Sequence, residues 1–133
     1  MEQSAATGHA HRIVPFAERS RGAQIVLVGV APGLIGAVAG VLLGVSAIAY
    51  AAVGLIAAVG AFLSGLEHET AWGGADRGLV AGAVYGVGLL IAHALAGTHA
   101  TVALGSFPPA LIVVTGIVGA LLAAAGASRP AAS

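Results

Sequence analysis

Two long stretches of the chain, Ala23 to Leu66 and Gly78 to Ser128, contain no Asp, Glu, Lys or Arg. Each is too long for a single bilayer crossing, which takes about 20 residues. The first divides near Gly44 to Ala47, giving expected helices over approximately 23–43 and 47–66 joined by a very short turn. The second divides at Gly97-Thr98-His99 and at Gly105 to Pro109, giving helices over 78–96 and 110–126, with Pro108-Pro109 suited to a helix start. The pattern predicts an all-α integral membrane protein, a four-helix transmembrane bundle built as two tandem Gly/Ala-rich hairpins. The membrane domain covers 23–127, an arm over 1–22 precedes it, and a tail over 128–133 follows.

Within the arm, Ile13, Val14 and Phe16 lie beside Arg12, Arg19 and Arg21, a composition suited to a segment along the membrane surface. Pro15 limits that segment to a short or broken helix. A cleavable signal peptide is the poorer reading of the first apolar run, because residues 1–22 precede it and no small-residue cleavage site leads into a soluble domain.

Composition sharpens this picture. The chain has 133 residues, 59% of them hydrophobic and 8% charged, with a mean hydropathy of +1.02, whereas an average soluble domain is roughly 25% charged. The length suits one membrane domain. Five Lys+Arg balance five Asp+Glu, which gives no pull toward nucleic acid. There is no cysteine, so disulfides, thiolate metal sites and cysteine nucleophiles are excluded. There is no lysine either, which removes Schiff-base chemistry. The 21 glycines and all-arginine basic set fit a GC-rich bacterial genome.

Charge placement sets the expected orientation. All five arginines (Arg12, Arg19, Arg21, Arg77 and Arg129) fall in the arm, the central connection or the tail, which share one side when there are four spans. The positive-inside rule puts that side in the cytoplasm. The expectation is a multi-pass protein of the bacterial inner membrane with both termini cytoplasmic.

Small residues recur at helical spacing. Gly29, Gly33, Gly36 and Gly40 share a face of the first helix; Ala47, Ala51, Gly54, Ala58, Ala61 and Gly65 share one of the second. Gly78, Gly82 and Gly86 follow in the third, and Gly116, Ala120, Ala123 and Ala127 in the fourth. In lipid, where no hydrophobic drive brings helices together, such faces allow close backbone approach. They are expected to hold the four helices together, or to leave one face for a second copy or another membrane protein. The similarity of Gly33-Leu34-Ile35 to Gly78-Leu79-Val80, and of Gly54-Leu55-Ile56 to Gly116-Ile117-Val118, fits either a tandem duplication or low-complexity coincidence. Pro32, in mid-helix, frees a carbonyl and permits a kink.

Candidate chemistry is sparse. Ionisable residues inside a membrane are the default functional pointers, and the spans offer no carboxylate of the kind that rotary ring subunits and small four-helix proton-driven exporters use. His93 is the one histidine expected within a span, at a depth shared with Ser46, Tyr50 and His99; an interfacial hydrogen bond is the plainer reading and a ligand or proton-relay role the sharper one. The central connection gathers Glu67, His68, Glu69, Trp72, Asp76 and Arg77 as a candidate polar or partner site. Glu-His-Glu is not the His-Glu-x-x-His of zinc hydrolases, so an ordinary polar connection or contact with a partner is expected before a metal site. His9 and His11 fit a flexible arm, or loose metal binding. No nucleophile elbow, phosphate-binding loop or dinucleotide fingerprint occurs, and no catalytic set, metal or cofactor is expected.

Two function classes stand ahead of a membrane enzyme, for which only Glu67, His68, Glu69 and Asp76 offer a convergent set, all within a single connection that would give a substrate little enclosure. One is a non-catalytic scaffold, anchor or accessory subunit of a larger membrane assembly, which requires no polar pathway. The other is a homo-oligomeric channel or transporter for a small, mostly neutral or weakly charged solute. The second requires Ser46, Tyr50, Ser64, Tyr85, His93 and Thr115 to face a common cavity. Their scatter in sequence depth favours the first.

Overall fold

In the computed structural model, residues 14–129 are described, and they form four helices and no strand. All four are long and apolar enough to cross a membrane: α1 (Arg21–Leu43), α2 (Ala47–Gly65), α3 (Ala71–Ala96) and α4 (Ala110–Ala127). The chain is a multi-pass membrane protein. The expectations for His9, His11 and Arg12, and for the tail beyond Arg129, lie outside the described residues.

Local chemistry sets the helix ends. Ser20, Ser46 and Thr70 stand just before α1, α2 and α3, and each side-chain oxygen accepts a hydrogen bond from the backbone N–H three residues on, at 3.3, 3.3 and 3.1 Å; each cap satisfies one donor left free in the first turn. Gly97 ends α3 in the left-handed region at φ 63°, a conformation that costs glycine nothing. Thr101 closes the far end of α1, because both its N–H and its hydroxyl donate to the Leu43 carbonyl, at 2.8 and 2.7 Å. Inside α1, Val26–Val30 form a π-turn in which the Ala31 N–H reaches the Val26 carbonyl. Pro32 has no N–H of its own and its ring presses on the preceding turn, so a widened turn just ahead of it accommodates the proline.

The third helix departs from expectation. It starts at Ala71 rather than near Gly78, about two turns earlier, because the Thr70 cap outweighs the low helix propensity of Gly73-Gly74. Asp76 and Arg77 are therefore helical residues, and the connection shrinks to Leu66 to Thr70.

Packing runs in a ring. The most extensive interface joins α3 to α4, followed by α1 with α3, and then α2 with α4 and α1 with α2 more sparingly. Glycine makes the close approaches. A methyl group at Gly36 or Gly40 would overlap the Tyr85 or Leu89 carbonyl, one at Gly78 or Gly82 the Gly119 or Thr115 carbonyl, and one at Gly86 the Thr115 hydroxyl and the Ile112 backbone. A methyl group at Gly116 would press tightly on Leu79, and one at Gly33 would only touch Val84. The buried core is small, with Ala39, Leu43 and Leu89 at its centre and Tyr50, Val53, Tyr85, Leu90, Leu104 and Leu111 around it.

α2 is held differently from the other helices. At one end the Gly44 to Ser46 turn ties it to α1, and Tyr50 and Val53 pack on the core. At the other, Gly65 sits against the Ala123 backbone while Gly126 meets the Phe62 carbonyl. Between these points it stands away from its neighbours: Gly54 and Gly60 have nothing within 4 Å of where a Cβ would be, and Ala51 is exposed. Gly54 and Ala51 thus form no packing seam within the chain, nor does Gly29 in the π-turn, which is equally open. The spacing that suggested a seam is present, but no partner backbone lies opposite. Ala58 and Ala120 are half-buried.

Candidate functional site: an intrabundle cavity with an ion cluster at its end

The gap beside α2 is a cavity of about 590 Å³ lined by all four helices. α1 contributes Leu27, Ala31, Pro32 and Ile35; α3 contributes Arg77, Ala81 and Tyr85; α4 contributes Val114, Thr115 and Val118. The long wall is α2 from Tyr50 to Ser64, with Glu67 just beyond. This volume falls in the usual range of small-molecule sites, about 300–1,000 Å³.

Of the positions required to share a cavity, Tyr50, Ser64, Tyr85 and Thr115 do so, whereas Ser46 and His93 do not line it. The apparent scatter in depth arose from counting along separate helices, and the stand-off of α2 lets one elongated space touch several levels. Two of these hydroxyls are already used: Ser64 donates to the Ala61 carbonyl at 2.7 Å, and Thr115 to the Leu111 carbonyl at 2.9 Å. The middle of the cavity therefore presents mainly apolar surface, and its polar character lies at its ends.

At one end stands an ion cluster. Arg77, in the second turn of α3, is 8% exposed. Its Nη1 donates to Glu67 Oε2 at 2.7 Å and to the Ser64 carbonyl at 3.4 Å. Glu67 Oε1 accepts from Arg19 Nη2, also at 2.7 Å. A carboxylate bridging two guanidinium groups is well suited to partial burial, because each charge keeps an opposite partner and a charge-assisted hydrogen bond.

The segment ahead of α1 covers this cluster. Phe16, in a single 3₁₀ turn (Phe16–Glu18), stacks on His68 with ring centroids 5.4 Å apart. The Arg77 guanidinium lies 4.2 Å from the Phe16 ring centre, a cation–π contact. The Phe16 N–H donates to the Glu67 carbonyl at 3.3 Å, and Gln24 Nε2 donates back to the Phe16 and Arg19 carbonyls at 3.3 and 3.0 Å. The short surface segment is thus folded onto the bundle end. Arg129 shares that end, 4.9 Å from the Phe62 ring.

The other candidates separate from this group. Glu69 and Asp76 are exposed and in no ion pair among the described residues. Trp72, 80% exposed in the first turn of α3, is placed as an interfacial aromatic. His68 lies 3.2 Å through Nδ1 from the Ser64 carbonyl. At the opposite end, His93 Nδ1 is buried with no hydrogen-bond partner, the Ser46 hydroxyl serves as the α2 cap, and His99 is exposed. Among the described residues, no group of three or more His, Cys, Asp or Glu is placed to hold a metal ion. Sequence reasoning grouped Glu67 with Arg77 through their proximity in the chain, but it missed Arg19 and Phe16. An arginine and an aromatic just ahead of the first span were the available signal.

No protein-family model, no curated protein and no solved structure matches the chain.

Proposed function

We propose that this chain is a non-catalytic membrane protein that binds or carries a small, largely apolar molecule within its own bundle, a form of the transporter reading. The observation that supports it most is the common cavity, in which Tyr50, Ser64, Tyr85 and Thr115 meet. Because all four helices of one chain line this half-open space, the reading does not require an oligomer. The spent hydroxyls of Ser64 and Thr115 argue for an apolar molecule over a hydrated ion. Arg19, Arg21, Arg77 and Arg129 at one bundle end support a cytoplasmic position for that end and for both termini, in a bacterial inner membrane.

The test is to purify the chain in mild detergent and quantify co-purifying organic-soluble molecules by mass spectrometry, beside an Ala81→Phe variant whose ring fills the cavity. A retained molecule whose amount per chain falls in the variant is the expected result; equal content in both chains, with both folded, sinks the reading. For orientation, a reporter fused after Ser133 should be active only in the cytoplasm, and periplasmic activity reverses the topology.

The accessory-subunit reading is second, and one observation favours it: mid-α2 exposes Gly60 with no neighbour in the chain, room for a helix of another protein to approach closely. Gentle extraction followed by size determination and identification of bound proteins tests it. A chain that migrates alone at every detergent concentration counts against it.

A further inference from the structure

The ion cluster at the end of the cavity carries more positive than negative charge. Arg19 and Arg77 share the one carboxylate of Glu67, while Glu18, Glu69 and Asp76 are exposed and in no ion pair among the described residues. A guanidinium has five N–H donors, and among the described residues Arg77 commits only Nη1, to Glu67 and to the Ser64 carbonyl. Its side chain is 7% exposed, and it lines the cavity. Donors thus remain on a buried cation at the end of an otherwise apolar space.

The shared carboxylate makes exchange feasible. If a second anion takes the Arg77 guanidinium, Glu67 keeps Arg19, so no charge is left buried and unpaired, the situation that makes breaking such pairs costly. Glu67 and Leu63 also border a shallower concavity of about 700 Å³ with Val14, Arg19, Ser20, Ala23 and Leu66, which gives a head group a route to the cluster. From there the apolar wall extends about 20 Å along α2, at 1.5 Å per residue from Ser64 to Tyr50, past Ala57, Ala81 and Val118.

We infer that the ligand of this cavity is a single-chain amphiphile with a compact anionic head, its chain along α2 and its head on Arg77. The inference rests on the cavity-binding reading above and adds the chemical class. Charge complementarity selects the head group, and the apolar residues between Ser64 and Tyr50, among them Ala57, Ala61, Ala81 and Val118, select a hydrocarbon over a polar chain.

The full chain in phosphatidylcholine nanodiscs is titrated with laurate and, separately, with dodecanol, which matches the chain but lacks the charge. Laurate is expected to bind at least about tenfold more tightly, the scale of one charge-assisted hydrogen bond. Arg77→Gln should abolish that preference, and Arg77→Lys should restore part of it. Arg19→Gln, at a more exposed position, should also weaken laurate, because Glu67 then turns wholly to Arg77. Equal affinities for laurate and dodecanol, both lost in Ala81→Phe, would overturn the anionic head and leave the cavity reading standing. No saturable binding of either probe would overturn both. Repeating the titration in phosphatidylglycerol discs separates the sources of that head group. Competition that disappears in Arg77→Gln would overturn the single-chain ligand in favour of a two-chain bilayer lipid, and unchanged laurate affinity is the result expected for a free fatty acid.

Discussion

The α3–α4 interface and the middle of α2 are made of the same residues and behave in opposite ways. Gly78, Gly82 and Gly86 of α3 each face the backbone of α4 so closely that an added methyl group would collide with it. Gly54 and Gly60 of α2 face open space. Small residues at helical spacing permit close approach, but whether it happens depends on what lies opposite. α3 makes the two most extensive interfaces, with α4 and α1, whereas α2 is held mainly at its ends, so the one interface seals and the other leaves a gap.

The largest expected effect tests the sealed side. In Gly82→Leu the new side chain would be driven into the Thr115 carbonyl of α4, and helix backbones cannot yield locally as a side chain would. Overpacking typically costs about 1–3 kcal/mol and more where the obstacle cannot move aside, so the variant should fail to give a monodisperse, cooperatively melting protein in detergent. Gly36→Leu, against Tyr85, should behave alike. An unchanged melting profile in both would mean that the helices are not packed as described.

Next in size is the ion cluster at the junction of the two regions. Glu67→Ala removes the carboxylate from two guanidinium groups, one of them buried, and breaking a buried pair from one side costs about 3–5 kcal/mol. Because Glu67 and Arg19 are partly solvated, the lower end of that range is expected, read as a fall in melting temperature. Asp76→Asn, one residue from Arg77 but exposed, should stay within about 0.5 kcal/mol of the parent. Equal effects from the two substitutions would deny the cluster its structural role.

How much of this was legible in the sequence follows from the range of the interactions. The four spans were readable because charge-free runs and their breaks at Gly97 and Pro108-Pro109 are local signals. The start of α3 differs from the sequence expectation because Gly73-Gly74 resembles a loop, while the Thr70 cap that starts the helix is a single-residue signal. Arg77 was noted as a loop charge that orients the protein. Its burial against Glu67, Arg19 and Phe16 depends on the early segment folding back across the bundle end, which no spacing rule reports. The cavity was still less visible, since it depends on α2 lying away from α1 despite a turn of only Gly44, Val45 and Ser46 between them.

A smaller effect is expected at Gly97, on the loop side of α3. Its φ of 63° costs an L-residue about 1–2 kcal/mol, while nothing lies within 4 Å of an added Cβ. Gly97→Ala should therefore lower stability by about 1 kcal/mol through backbone conformation alone. A larger loss would point to a contact at that loop.

The smallest effect is the most discriminating for α2. Gly60→Ala adds a methyl group where the chain has no neighbour, in a helix interior where alanine is favoured over glycine by roughly 0.5–1 kcal/mol. The purified single chain should therefore be slightly stabilised, in contrast to any substitution along α3. Gly60→Leu carries the comparison further, because Gly60 is exposed yet borders the cavity, so a bulky side chain there reaches either into that space or toward a helix approaching from outside. If Gly60→Leu leaves the melting of the purified chain unchanged yet removes a protein that co-extracts with the parent, mid-α2 is an interface and the accessory-subunit reading gains. If it changes neither, the stand-off of α2 serves the space behind it, and the small residues are there to keep that space open.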